Sequence, residues 1–181
     1  AGELHSMNGK KAQVWIETVV YTLIGIALIA LVLGYVIPKV NKAKDTLAVE
    51  QSIRSLQTVD EKILAVMSAG DGNVRSLEYS IKRGTLIINS SNDIIQIIIP
   101  DMSQPYSEVN IPIVIGPVTL VSNKTQRSYN ARLTLDYGFN ITYAGKDNGL
   151  ERAFTPSSTP YLFTFTNINN SAADIKEISQ G

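Results

Sequence analysis

The chain has no cysteine, so no disulfide staples it and no thiol serves as nucleophile or metal ligand. Its one histidine is His5, which removes His-based triads and the common zinc ligand sets. A glycine-rich phosphate loop is missing too: Gly145-Lys146 has neither the spacing nor the Ser/Thr that such a loop needs. Asp71-Gly-Asn73 and Asp147-Asn-Gly149 lack the alternating oxygen ligands and closing glutamate of a calcium loop, and read as turns. No charge sign is in excess. Lys+Arg and Asp+Glu each number 16, so the formal net charge is zero and no basic face for nucleic acid is expected. These gaps point away from an enzyme, and neither metal nor cofactor is expected. A length of 181 residues leaves room for a membrane helix and one modest globular domain.

What is present begins with a long apolar run. From Thr18 to Ile37 there is no charged side chain, which meets the roughly 18 apolar residues of a membrane-spanning helix. In lipid every backbone N–H and C=O must be satisfied internally, so a lone run of this length is expected to be a helix. It is also longer than the apolar region of about 7–15 residues in a cleaved secretory signal. After Pro38 the pattern changes. Val49, Ile53, Leu56, Val59, Ile63 and Val66 recur at three- and four-residue spacing among charged residues, one apolar stripe on a helix. Gly70 and the following Asp71-Gly72-Asn73 form a stop signal. We therefore expect one helix over residues 13–69, apolar over 13–37, amphipathic over 38–69 and bent at Pro38, where the ring removes a hydrogen bond. Glu17 stands at the start of the apolar span. A carboxylate there is either tolerated at the lipid–water boundary near the helix N-terminus or has a functional partner.

From residue 73 to 181 the period shifts to two. Strands are expected over 75–81, 85–88, 93–99, 109–115, 118–121, 131–137, 139–143 and 161–166, with 93–99 buried on both faces, 100–107 a loop, and Pro112 and Pro117 confining their segments to an edge or bulge. About eight short strands suggest an antiparallel sandwich or a sheet wrapped on the helix, and the apolar stripe is expected to pack against it. The fold class is therefore α+β, a long N-terminal helix followed by a β-rich, sandwich-like head. Asn89, Asn123, Asn140 and Asn169 each begin an Asn-X-Ser/Thr sequon and are candidate N-glycan acceptors if this domain is exported.

The stretch Met7-Asn-Gly-Lys-Lys-Ala12, followed by Gln13-Val-Trp-Ile-Glu17 and the apolar run, resembles the precursors of archaeal type IV pilins with a class III signal peptide. The likeness covers roughly the first third of the chain. It implies a leader over residues 1–12, cut on the cytoplasmic side near Lys10, Lys11 and Ala12, with Gln13 the new N-terminus and Glu17 at the fifth mature position. There Glu17 would neutralise a neighbouring subunit's amino terminus or guide docking. Residues 1–6 precede a plausible initiator, Met7, and are expected to have no role in the fold. Two features depart from the family's pattern: Trp15 stands where a small residue is common, and Pro38 lies a few positions later than the helix-bending proline of bacterial pilins. Lys10 and Lys11 precede the apolar run and Lys39, Lys42 and Lys44 follow it, so charge alone does not orient the span.

The resemblance implies a structural subunit of an extracellular, adhesive filament whose exported domain is a candidate for glycosylation. It would be stored in the archaeal cell membrane as a precursor and polymerised through its apolar helix. The implied partners are copies of the chain, a prepilin peptidase, an assembly ATPase with its membrane platform, and the membrane before assembly. The alternative is a membrane-anchored β-domain that never polymerises, or a minor pilin-like component of a secretion or uptake machine.

Overall fold

The computed structural model describes the backbone of residues 6–147 and 151–178 and the side chains of residues 14–147 and 151–178. One helix, α1, runs from Ser6 to Ser68, and its helical backbone continues through Pro38. It begins earlier than the sequence suggests and includes the expected leader junction. It ends where expected: Gly70 adopts φ 93°, a left-handed conformation that suits glycine, and the Asn73 side-chain amide donates to the Ala69 carbonyl at 3.0 Å.

Two compact units divide the chain, residues 1–41 and residues 42–181. The first is the N-terminal part of α1. In the second, the rest of α1 shares a core with ten strands: β1 (Val74–Tyr79), β2 (Thr85–Asn89), β3 (Ile94–Met102), β4 (Ile113–Ile115), β5 (Val118–Lys124), β6 (Tyr129–Asp136), β7 (Asn140–Tyr143), β8 (Glu151–Phe154), β9 (Tyr161–Ile168) and β10 (Ala172–Ile178). They form a six-stranded sheet in the order β4-β5-β6-β3-β2-β8 and a four-stranded sheet in the order β1-β9-β10-β7. All pairings are antiparallel except β7 with β10, which are parallel.

The core follows from the two periodicities. On α1, Val49, Ile53, Leu56, Val59, Ile63 and Val66 are all buried, so the expected stripe faces inward; each such side chain contributes on the order of 2 kcal/mol. The same cluster contains Ile95, Ile97 and Ile99 of β3, Leu133 and Leu135 of β6, and Phe163 and Phe165 of β9. Alternation along each strand places these on one face. Phe154 of β8 meets Phe163 edge to face, with ring centroids 5.0 Å apart.

Several expectations are corrected. The strand of 93–99 continues through Pro100 to Met102, which reduces the expected loop of 100–107. The register shifts between Ile99 and Met102, so Pro100 sits in an irregularity where no ladder N–H is required of it. This strand is buried on one face only, with Ile94, Gln96 and Ile98 half-buried on the other. The 118–121 segment lies inside the sheet between β4 and β6, so of the two proline-bearing segments only the one that forms the short β4 is at an edge. β8 and β10 were not expected, because Glu-Arg-Ala-Phe and Ala-Ala-Asp-Ile-Lys-Glu-Ile carry little β propensity. Of the turn expected at Asp147–Gly149, residues 148 and 149 lie outside the described residues.

Candidate functional site

The segment that carries the functional question is the apolar part of α1. From Val14 to Val40 its large hydrophobic side chains are exposed, Trp15 at 70% and Tyr21 at 72% among them. The helix is long and apolar enough to cross a membrane, and its most apolar window is uncovered by the rest of the chain. Its polar atoms suit that setting. The Thr18 hydroxyl donates to the Val14 carbonyl at 2.9 Å and the Thr22 hydroxyl to the Thr18 carbonyl at 2.8 Å, so neither needs water. At the far end the Lys39 ammonium lies 5.1 Å from the centre of the exposed Tyr35 ring, a cation–π contact.

Glu17 is exposed on this helix. Gly25 and Gly34 are helix-interior glycines at which an added Cβ would meet nothing within 4 Å. No contact within the chain therefore requires glycine at either place, although each lowers helix stability by about 1 kcal/mol relative to alanine. Lys10, Lys11, Ala12 and Gln13 lie in the helical backbone of α1; their side chains lie outside the described residues.

The four sequons separate by burial and bonding. Asn89 is 6% exposed; its amide donates to Glu151 Oε1 at 2.8 Å, and its carbonyl oxygen accepts from the Ser91 and Asn92 N–H groups. This is an Asx turn closing the β2–β3 hairpin, with no free amide for a sugar. The half-buried Asn123 donates to Asn110 Oδ1 at 2.9 Å, and the half-buried Asn140 donates to Asp147 Oδ2 at 3.0 Å. Asn169, by contrast, is exposed at the tip of the β9–β10 hairpin.

Sequence reasoning missed the polar cluster that holds the distal part of α1 to the strands. Asp45 is 6% exposed and receives the Arg83 guanidinium and both the N–H and hydroxyl of Ser103. Arg83 also donates to the Pro100 and Asp101 carbonyls, at 2.9 and 2.8 Å. Burial alone would raise the Asp45 carboxyl, but the Ser103 hydroxyl, the Arg83 guanidinium and the Ser103 N–H together hold it below the usual carboxylate value. A signal was available: Asp45 is one turn before Val49, in phase with the buried stripe. At the other end of the stripe, the buried Asn167 amide donates to the Val66 and Met67 carbonyls, which the helix terminus leaves without intrahelical partners.

Two tyrosines complete the contact. Burial pushes the Tyr79 phenol above its ordinary value, with Ser55 beside it acting the other way. Burial also raises the Tyr137 phenol, and the neighbouring Asp60 charge adds to the effect. Neither hydroxyl reaches good hydrogen-bond geometry, so Ser55 and Asp60 act as close polar neighbours rather than strong acceptors. A groove of 390 Å³ lies between α1 and β1, lined by Arg54, Ser55, Thr58, Glu78 and Lys82 among others. Among the described residues, no group of three or more His, Cys, Asp or Glu is placed to hold a metal ion. Comparison with protein families, curated proteins and solved structures finds no match to this chain.

Proposed function

We propose that the chain is the structural subunit of a type IV pilus-like extracellular filament of the archaeal kind, stored in the membrane and polymerised through the apolar part of α1. The observation that carries this reading is the contrast along one helix. The stripe from Val49 to Val66 is buried by the chain's own strands, whereas the large apolar side chains from Val14 to Val40 are exposed. An uncovered apolar helix needs either lipid or copies of itself.

Gly25 and Gly34 support the second destination. At 100° per residue, Gly34 shares a face with Ala27 and Ala30, and Gly25 lies on the opposite side. A small-residue patch on one side and a lone glycine on the other permit close approach of different neighbours, which suits a heterologous, non-closing helical assembly. In this reading the leader is removed at Gln13 and Glu17 meets a neighbour's new amino terminus. A buried ion pair of that kind favours correct register because an unpaired charge there is costly. The β-rich domain supplies the adhesive surface and carries any glycan.

The deciding experiment is mass spectrometry and electron microscopy of the native protein sheared from cells. A subunit beginning at Gln13, in a high-mass helical filament, is expected. A chain that keeps Met7 and behaves as a single-pass monomer in detergent would overturn the proposal in favour of a non-polymerising anchor.

A further inference from the structure

We propose that Trp15 at one end and the Tyr35–Lys39 pair at the other fix the depth of α1 in a phospholipid bilayer, with Lys39 meeting the phosphate layer of the far leaflet. This deepens the membrane-stored part of the function proposed above and does not depend on assembly.

The argument begins with spacing. Trp15 and Tyr35 are both exposed on one continuous helix. Twenty residues at 1.5 Å per residue separate them by about 30 Å, which matches the roughly 30 Å hydrocarbon thickness of a bilayer. Indole and phenol rings favour the two lipid–water boundaries, since each has an apolar body and a polar edge. The charges fall at the same levels. Glu17 and Lys39 bracket a stretch with no Asp, Glu, Lys or Arg between them. Lys39 places its ammonium over the Tyr35 ring, so the first charge beyond the apolar run stands at the level of Tyr35 rather than a turn further on. A lysine at that level is suited to a phosphate, and its stem covers apolar surface on the way.

Within the span the remaining polar groups are accommodated. The Thr18 and Thr22 hydroxyls are bonded to the backbone one turn back. Tyr21 lies about 9 Å from Trp15 along the axis, and because helical side chains lean toward the N-terminus, its hydroxyl can return toward the Trp15 boundary. Glu17 is half a turn from Trp15, about 3 Å along the axis.

The test uses the full chain in vesicles of phosphatidylcholine with phosphatidylglycerol, and it exploits the fact that Trp15 is the sole tryptophan. Lipids brominated at different acyl positions report its depth. Strongest quenching by the shallowest bromines is expected, with the indole about 15 Å from the midplane. Strongest quenching by the deepest bromines, or full access to aqueous acrylamide, would overturn the assignment. A Trp15→Phe/Tyr35→Trp double variant reads the other boundary and is expected at the same distance from the midplane. Adding Lys39→Ala is expected to move that indole inward by about 3 Å, roughly two residues of helix rise, and Lys39→Arg to leave it in place. An unchanged depth with Lys39→Ala would remove Lys39 from the proposal. Correct depth without filaments would sink the filament reading alone, and filaments from a chain with the wrong depth would sink the depth assignment alone.

Discussion

The Asp45 carboxylate accepts both the backbone N–H and the hydroxyl of Ser103, each at 2.6 Å, across 58 residues of chain. One oxygen therefore ends the loop after β3 on α1, and the other oxygen receives Arg83 from the β1–β2 connection. Three segments distant in sequence converge on one buried anion at the start of the buried stripe.

Removing the anion takes away the acceptor of the Ser103 N–H and hydroxyl and the carboxylate paired with Arg83, which keeps its bonds to the Pro100 and Asp101 carbonyls. Asp45→Ala is expected to destabilise the β-rich unit by about 2 kcal/mol, below the usual range for a broken buried pair because Arg83 remains partly exposed to solvent. Urea denaturation followed by circular dichroism in the β-sheet region measures this; a variant with the parent midpoint would contradict the role.

The pH dependence has two opposed contributions. Asp45 is held below its ordinary value in the folded state, so its contribution is present above the unfolded carboxylate value of about 3.9 and is lost as pH falls through the lower folded value. Asp60 is raised by burial, with Tyr137 acting the other way and Glu61 adding to the rise. Its contribution is present below the unfolded value and lost as pH rises through the folded one. Asp45→Asn should therefore flatten the stability loss in acid, whereas Asp60→Asn should raise the melting temperature at pH 7 but not at pH 3. Thermal melts of both variants from pH 2.5 to 7 check the two signs.

Gly84 combines two demands. Its φ is 89°, and a Cβ there would run into the Ile98 carbonyl oxygen in the β3 backbone. Gly70 has a similar φ of 93° but open space around it. Gly84→Ala is expected to cost about 3 kcal/mol or more, and Gly70→Ala about 1 kcal/mol. Equal losses in chemical denaturation would show that the clash at Gly84 relaxes at no cost.

For assembly, Glu17→Ala should leave the chain in the membrane but reduce filament yield. Gly34→Leu should do the same without lowering the helicity of the unassembled chain, because the added side chain has room within the chain itself. Membrane fractionation alongside filament counts in electron micrographs separates insertion from assembly. Parental yield from both variants would contradict packing through this part of α1.

If the β-rich domain is exported and glycosylated, Asn169 is the expected acceptor and Asn89 is expected to stay unmodified, since its amide is buried and bonded to Glu151. Glycopeptide mass spectrometry reads this directly. Asn89→Gln should alter stability through loss of the Asx turn, by about 1 kcal/mol, and leave the glycan pattern unchanged.

Much of this was legible from local pattern. The apolar run, the stripe from Val49 to Val66 and the stop at Gly70 each follow from helical periodicity and glycine's backbone freedom, and most strands from alternation. Those signals are local, so they need no knowledge of partners. β10 escaped because Ala172, Ala173 and Ile175 are ordinary residues that become strand only between β9 and β7. The burial of Asn89 escaped because a sequon in sequence carries no record of the Glu151 that bonds it.

The amino-acid sequence alone determined that this chain has one helix with two kinds of surface and a β-rich remainder, because hydrophobic periodicity is written residue by residue. Only the tertiary structure decided which polar groups hold the distal helix in place. Asp45 with Arg83 and Ser103, and Asn167 with Val66 and Met67, pair across 38 to 101 residues. A hydrogen bond at that separation depends on how folded backbones meet, which no local spacing encodes.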